Sequence, residues 1–304
     1  MGFATEITVT GPYRAPAQML QDQVIEGHHT LHDAGEASVL GLAGAPIEAP
    51  THFSQIDPLA VAQWGDAWFE RGCISSHFRT MVVEGEEVQA SLTTTGPRSA
   101  RIEAHKVDGT PVLSGTASVG PDHPETELDR RRAAQGEPGE LFVVDRLQVG
   151  MRSDDGPEVS IPFAEGNGPA YPFSLAEKLQ RITEPHPWYT REGGAASPWG
   201  RPIVPIEMVS VLVSKSGPGW PVRAPVMGLF LDLEVRLSDG PVFVDQPYRL
   251  DREVVGLSQS RRTESYWTRT TLTDVDTGRA VGTVLIHSGV FKESFPGYPK
   301  DRLR

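Results

Sequence analysis

The chain has one cysteine, Cys73, among its 304 residues, and one asparagine, Asn167. A lone thiol excludes a disulfide scaffold and any zinc site built on paired cysteines, and it fits a reducing, cytoplasmic setting. Cys73 itself reads as a small buried residue at the start of a strand. Positive charge is also scarce: 28 Lys and Arg stand against 40 Asp and Glu, a net charge of −12. Nucleic acid is therefore not expected as a partner, because phosphate binding needs basic surface. The one basic cluster, Arg130-Arg131-Arg132, sits among acids, Gly and Pro and reads as the solvated face of a linker. No apolar run approaches the roughly 18 residues of a membrane span. Met1 to Thr10 has neither a basic start nor an apolar core, so no signal peptide is expected. No Gly-rich phosphate loop of the P-loop or dinucleotide kind is present.

What the chain does contain is repetition. Gly109 and Val112 in the first half, and Gly278 and Val281 near the end, form two Gly-x-x-Val steps. Each follows a strand-like stretch and a polar turn, and each opens an apolar run. Such repetition points to one folding unit used twice, with any active site between the copies.

The segment Gly120–Glu140, rich in Pro, Gly and charge, has the composition of a connector. It predicts an N-terminal unit over 1–125, a linker over 126–140 and a C-terminal unit over 141–304. In the first unit a short helix is expected over Glu36–Leu42. A central helix follows, with Ile56, Ala60, Trp64, Ala67 and Trp68 on one face. Thr51 and Asp57 are both N-cap candidates, and Pro58 predicts a kink or a fresh start at Asp57. Gly72 closes this element. Strands are then predicted over Ile74–Val83, Glu87–Thr95, Ala100–Val107 and Val112–Val119. The second unit repeats the order: a strand over Leu141–Val149, then a helix over Phe173–Thr183 with Ser174 and Glu177 at capping-box spacing. A central helix marked by Ile206, Val209, Leu212 and Val213 ends at Gly217-Pro218-Gly219. Strands return over Gly228–Leu237, Val242–Leu250, Ser265–Thr273 and Val281–Phe291. Helices and antiparallel meanders in this order make an α+β pattern.

Asp33, Ala37, Gly41, Pro46, Ile47 and the helix from Thr51, matched in the second half by Pro202-Ile203-Val204-Pro205, resemble the hotdog fold, in particular its MaoC-like hydratase and dehydratase branch. The resemblance implies a double hotdog, in which curved antiparallel sheet wraps one central helix in each unit. It implies an acyl thioester of coenzyme A or acyl carrier protein as the small-molecule partner. It also implies no cofactor beyond coenzyme A carried on the substrate, and a pseudo-dimeric monomer or a homodimer of that unit. Hydratases of this branch carry Asp-x-Asn-Pro-x-His. Here Glu184-Pro185-His186-Pro187-Trp188-Tyr189 keeps the spacing, with Glu184 at the Asp place and Tyr189 at the His place. In the first unit Leu31 stands at the His place, and the only Asn lies in an unrelated Gly-Asn-Gly turn.

With the hydratase residues replaced, thioester hydrolysis by direct water attack is the expected chemistry, and MaoC-like hydration and non-catalytic thioester binding are the alternatives. Hydrolysis needs an apolar pocket, oxyanion donors and a group that activates water. Backbone N–H groups at a buried helix N-terminus can serve as donors, which places Ile206 at the acyl group. Glu207, in the first turn of the second central helix, is a candidate base, or a carboxylate complementing the helix dipole. The resemblance favours the first, since hotdog thioesterases commonly carry an acid near this helix. His52 is a base, a thioester ligand or a packed histidine. Tyr189 orients water, donates to a carbonyl or forms a pocket wall, and Glu184 and His186 flank it. Phe53, Trp64, Trp188 and Trp199 are expected to line a pocket for a bulky acyl group, such as one from secondary metabolism. His28-His29-x-x-His32-Asp33 puts two histidines four apart, but Gly27 opens a turn and no His-Glu-x-x-His is present, so no metal is expected. Gly256-Leu257-Ser258-Gln259-Ser260 imitates a nucleophile elbow without its closing Gly and lies between strands, so Ser258 is not expected to act. Arg261 and Arg262 read as cross-strand partners of Glu264 rather than as phosphate ligands.

Overall fold

The computed structural model describes residues 5–153, 156–217 and 219–303. In chain order its elements are β1 (Thr8–Arg14), α1 (Ala34–Val39), α2 (His52–Trp64), α3 (Ala67–Arg71), β2 (Gly72–Phe78), β3 (Val88–Gly96), β4 (Ser99–Lys106) and β5 (Pro111–Val119). Next come α4 (Glu127–Ala133), β6 (Arg152–Ser153), α5 (Leu175–Leu179), α6 (Arg191–Ala195) and α7 (Ile206–Ser214). The chain ends with β7 (Gly228–Leu237), β8 (Tyr248–Gln259), β9 (Thr263–Asp274) and β10 (Ala280–Phe291). All ten strands join one antiparallel sheet in the order β1-β3-β4-β5-β2-β7-β10-β9-β8-β6. Read from either edge, the order of elements is the same. The two halves meet at β2 and β7, where Ile74 pairs with Val235 and His77 with Asp232.

The repeated Gly-x-x-Val steps are the β4–β5 and β9–β10 hairpin turns. Gly109 and Gly278 take φ of 84° and 68°, left-handed values that favour glycine. In the first turn Asp108 Oδ1 accepts from the Thr110 N–H at 2.9 Å, and in the second Asp274 Oδ1 accepts from the Thr277 N–H at 2.8 Å. Strand alternation then sorts the residues between faces. Ile74, Ala104, Val235 and Ile286 face the inner side and join the core with Phe53 and Ile56 of α2 and Met208 and Leu212 of α7. Among the described residues no helix is long and apolar enough to cross a membrane.

Several expectations are corrected. α2 runs through Asp57 and Pro58 as one helix, so Asp57 is no N-cap. Pro58 has no N–H to give the Ser54 carbonyl, and burial of Phe53, Ile56 and Ala60 around it holds the helix together. The break comes at Gly65 (φ 59°), so Trp68 belongs to the separate helix α3. Leu141–Val149 forms turns rather than a strand, with Val143, Val144 and Leu147 buried. Its Phe142, Val143 and Val144 N–H groups donate to the Glu264 carboxylate at 2.8, 2.8 and 3.1 Å, so Glu264 is not the partner of Arg261 and Arg262. Val242–Val244 packs beside Ile203 as a bridge, and the strand expected there starts at Tyr248. The connector carries α4, opened by a Thr126–Asp129 capping box and packed by Leu128 against Trp267 and Leu285 on the sheet's outer face. Its arginines are engaged: Arg131 Nε lies 2.8 Å from Asp232, and Arg132 donates to the Val255 carbonyl at 3.2 Å. Of the expected stop Gly217-Pro218-Gly219, Pro218 lies outside the described residues, and α7 ends before it at Ser214.

Gly72 links α3 to the central strand β2. A Cβ there would lie 2.2 Å from the Trp68 carbonyl oxygen and 2.8 Å from its indole. Gly72→Ala is expected to destabilise the fold by about 1–3 kcal/mol, as overpacking does. A lowered urea midpoint at unchanged slope is the check.

Candidate active site

The seam between α2 and the C-terminal half is lined with polar side chains. Thr51, Ser54 and Asp57 follow one another at three-residue spacing across the start of α2, which places them on one side of the helix. Opposite stand Lys178 of α5, Tyr189 and Glu207 of α7. α5 is fixed by the predicted capping box, with Ser174 and Glu177 each capping the other's backbone. Lys178 Nζ reaches Glu207 Oε1 at 2.7 Å, Thr51 Oγ1 at 3.1 Å and Glu48 Oε2 at 3.4 Å. The Ser54 hydroxyl donates to Glu207 Oε2. One turn along α2, Asp57 Oδ1 accepts from Trp68 Nε1 at 2.9 Å and Asp57 Oδ2 accepts from the Tyr189 hydroxyl at 3.1 Å.

Bulk water is excluded from this seam, since Lys178 and Glu207 are each 2% exposed and Asp57 is 4% exposed. That sets the electrostatics. Burial pushes the Glu48 and Glu207 carboxyls above their usual range, and the Lys178 ammonium pulls them part of the way back. Burial alone would lower Lys178, but Glu207 and Glu48 outweigh it and hold the ammonium charged. Burial pushes Asp57 up to about 7 against the pull of Trp68 and Tyr189, and the charges of Glu207 and Glu184 add to the rise. Tyr189, raised well above its ordinary value by burial and by Asp57, keeps its proton and acts as the donor. Asp57 thus has a hydrogen bond on each oxygen and can gain or lose a proton near neutral pH.

The other candidates occupy different places. His52, at the start of α2, is brought down to about 4 by burial and is neutral. Its Nδ1 and both amide atoms of Gln55 make no hydrogen bond among the described residues. Glu184 is held by Arg14 of β1 at 2.5 and 3.1 Å. His186 Nδ1 accepts from the Trp188 N–H at 3.2 Å, capping the turn Pro187–Tyr189. Trp188 and Trp199 pack edge to face with centroids 5.3 Å apart, and Trp199 also reaches Glu70. Phe53 is in the core beside Phe78, Trp64 donates to the Pro97 carbonyl at 3.1 Å, and Ile206 opens α7. The structure therefore brings Tyr189 and Glu207 to one seam and sets Glu184, His186 and Trp64 on other partners. Sequence reasoning missed Glu48, Ser54 and Lys178, and saw Thr51 and Asp57 only as caps. The recurrence of Ser54 and Asp57 within an apolar helix was the available signal. No group of three or more His, Cys, Asp or Glu able to hold a metal occurs among the described residues.

Glu207→Gln keeps an amide oxygen to accept from Lys178, turns the Ser54 hydroxyl into an acceptor for the new NH₂, and removes a charge that raises Asp57. The Asp57 pKa is expected to fall, read from its carboxyl carbon shift in a pH titration by NMR.

No protein family and no curated protein matches the chain by sequence. Solved structures do match by shape. A Chloroflexus aurantiacus protein assigned as a MaoC-domain dehydratase superposes with a TM-score of 0.56 at 14% identity, covering 95% of each chain. Rv0216 of Mycobacterium tuberculosis, described as having a double hotdog fold, superposes with a TM-score of 0.59 at 12% identity, covering 95% of this chain and 97% of its own. The chain has the double hotdog fold.

Proposed function

We propose that this double hotdog chain hydrolyses acyl thioesters, of coenzyme A or of a carrier protein, with Asp57 as the base that activates water. The observation carrying this reading is the Asp57 carboxyl, buried in the seam with one oxygen bonded by Trp68 and the other by Tyr189, where burial pushes its pKa up to about 7. A base with such a pKa combines a usable ionised fraction with proton affinity at neutral pH. Asp57 takes a proton from water as the water oxygen bonds to the thioester carbonyl carbon. The C–S bond then breaks, and the thiolate takes the proton back from Asp57 to leave acid and thiol. The buried start of α7 supports the oxyanion, because its N-cap, Pro205, has no side-chain acceptor for the first-turn N–H groups. Lys178 and Glu207 act through Asp57 as positioning residues. The half-buried Trp188 and Trp199 favour a bulky acyl group.

The shape likeness to a MaoC-domain protein keeps one rival in view, hydration of an enoyl thioester. A panel of acyl-CoA and trans-2-enoyl-CoA substrates separates the two. Thiol release that rises with pH and levels off above about 7, as Asp57 ionises, supports hydrolysis. Loss of enoyl absorbance without thiol makes the chain a hydratase. Tight binding with neither signal makes it a binding protein.

A further inference from the structure

The outer face of the sheet carries a second titratable cluster, on the opposite side of the strands from α2 and α7. His77 of β2, Asp232 of β7, His287 of β10 and Trp267 of β9 stand directly across from one another in register. Ser258 of β8 pairs with Ser265 of β9 next to this row. Strand alternation turns all of them away from the inner core.

Asp232 is 0% exposed, so its charge must be met inside the protein. His287 Nδ1 donates to its Oδ2 at 2.5 Å, His77 Nδ1 donates to its Oδ1 at 2.8 Å, and Arg131 Nε of α4 lies 2.8 Å from Oδ1. Although burial would raise it, the bonds from His287 and His77 and the charge of Arg131 hold this carboxyl down to about 2. Asp232 is thus an acceptor only, and His287 must carry its proton on Nδ1. That leaves the Nε2 lone pair, which meets the Ser258 hydroxyl at 3.3 Å. The ring is clamped by Trp267, stacked at 4.0 Å and 9°. Ser265 Oγ lies 2.7 Å from Ser258 Oγ and 3.2 Å from the Ser258 carbonyl oxygen; with its one hydrogen turned to Ser258 Oγ instead of that carbonyl, the Ser258 hydrogen is free for His287. Burial lowers the His287 pKa, so the ring is neutral and able to accept a proton.

We propose that Ser258, His287 and Asp232 form a serine-nucleophile site on the outer face of the sheet, taking an ester or thioester with an anionic tail as acyl donor. The order of the three groups, carboxylate on Nδ1 and hydroxyl on Nε2, is the arrangement that lets histidine act as base toward serine. Ser258 is half-buried. A cleft of about 430 Å³ beside it is lined by Arg130, Arg131, Ala134 and Gln135. Two of these residues hold the relay: Arg131 binds Asp232, and the Gln135 amide donates to Ser258 Oγ at 3.3 Å. Arg131 is engaged by Asp232 and Arg130 is shared with Glu127 at 2.9 Å, so the positive group offered to an anionic tail is the exposed Arg130 guanidinium. In the reaction Ser258 Oγ bonds to the carbonyl carbon while its proton moves to His287 Nε2. The bond to the leaving group then breaks and the leaving group takes that proton. Water repeats the exchange and releases the acid.

The site is independent of Asp57, and one experiment reads it separately. The full chain is treated with a fluorophosphonate, in which a serine oxygen displaces fluoride from phosphorus, and adducts are located by peptide mass. One adduct on Ser258 is expected, absent from Ser258→Ala, at least tenfold slower in His287→Gln and unchanged in Asp57→Asn. Ser258→Ala should keep the thiol release assigned to Asp57. No adduct on Ser258, or equal labelling in His287→Gln, overturns the proposal. Equal labelling of the urea-unfolded chain also overturns it, a control that holds even if His287→Gln does not fold.

Discussion

Asp57→Asn is expected to lower kcat/KM for thiol release by at least about 100-fold, the usual weight of a general base, and at pH 8 to unfold at a higher urea concentration than the wild type. Both effects come from one cause. Burial raises the Asp57 pKa from 3.8 to about 7. Between those values the folded chain binds a proton that the unfolded chain has released, so stability falls as pH rises through this window. The loss is complete above about 7. Three pK units correspond to about 4 kcal/mol as an upper bound, and relaxation around the charge leaves an expected gain of about 1–3 kcal/mol for the amide at pH 8. The amide oxygen of the variant still accepts from Trp68 and its NH₂ can donate to the Tyr189 oxygen, so the hydrogen bonds survive the exchange. Urea unfolding of both proteins at pH 5 and pH 8 is the check. A wild type as stable at pH 8 as at pH 5, with Asp57→Asn unchanged, would show that Asp57 is an ordinary ionised carboxylate and remove it as the base.

Lys178→Met is expected to cost about 3–5 kcal/mol at pH 8, the penalty of leaving buried charge without a partner. The lysine is the one cation bonded to both Glu48 and Glu207 among the described residues, and all three are buried. Without it both carboxyls rise further, since burial already raises them and Lys178 is what pulls them down. Stability is then lost as pH rises through their raised values and is regained in acid, where both are neutral. The difference from wild type should shrink toward pH 5. It should also shrink in Lys178→Met combined with Glu48→Gln and Glu207→Gln, which removes the stranded charges along with their partner. A constant deficit across pH would trace the loss to packing rather than to charge.

Local rules carried the reading where partners are close in sequence. The hairpin turns at Gly109 and Gly278, the Ser174–Glu177 capping box and the apolar spacing of α7 all follow from residues a few positions apart. β1 was passed over because it is an edge strand with no buried residue, so alternation is weak in its sequence. Leu141–Val149 is apolar enough for a strand, but its amides are taken by Glu264, more than a hundred residues away. The same distance hid the site. Lys178 meets Thr51 across 127 positions, and no local pattern marks either as a partner of the other. Asp57-Pro58 gives a strong helix-start signal, and tertiary burial overrode it. The hydratase-like segment kept its spacing yet split its residues: Tyr189 turned inward to Asp57, while Glu184 turned to Arg14.

The mirrored strand order has a kinetic corollary. Separate single units joined edge to edge by β2 and β7 would part on dilution, and their seam would open with them. Tethered in one chain, the two partners meet at a fixed effective concentration, and assembly becomes a unimolecular event. The tether also lifts a symmetry constraint. In a homodimer both helices would present the same side chains to the shared interface, whereas here one gives Thr51, Ser54 and Asp57 and the other gives Glu207, so a buried carboxyl and the charge that shifts it can vary independently.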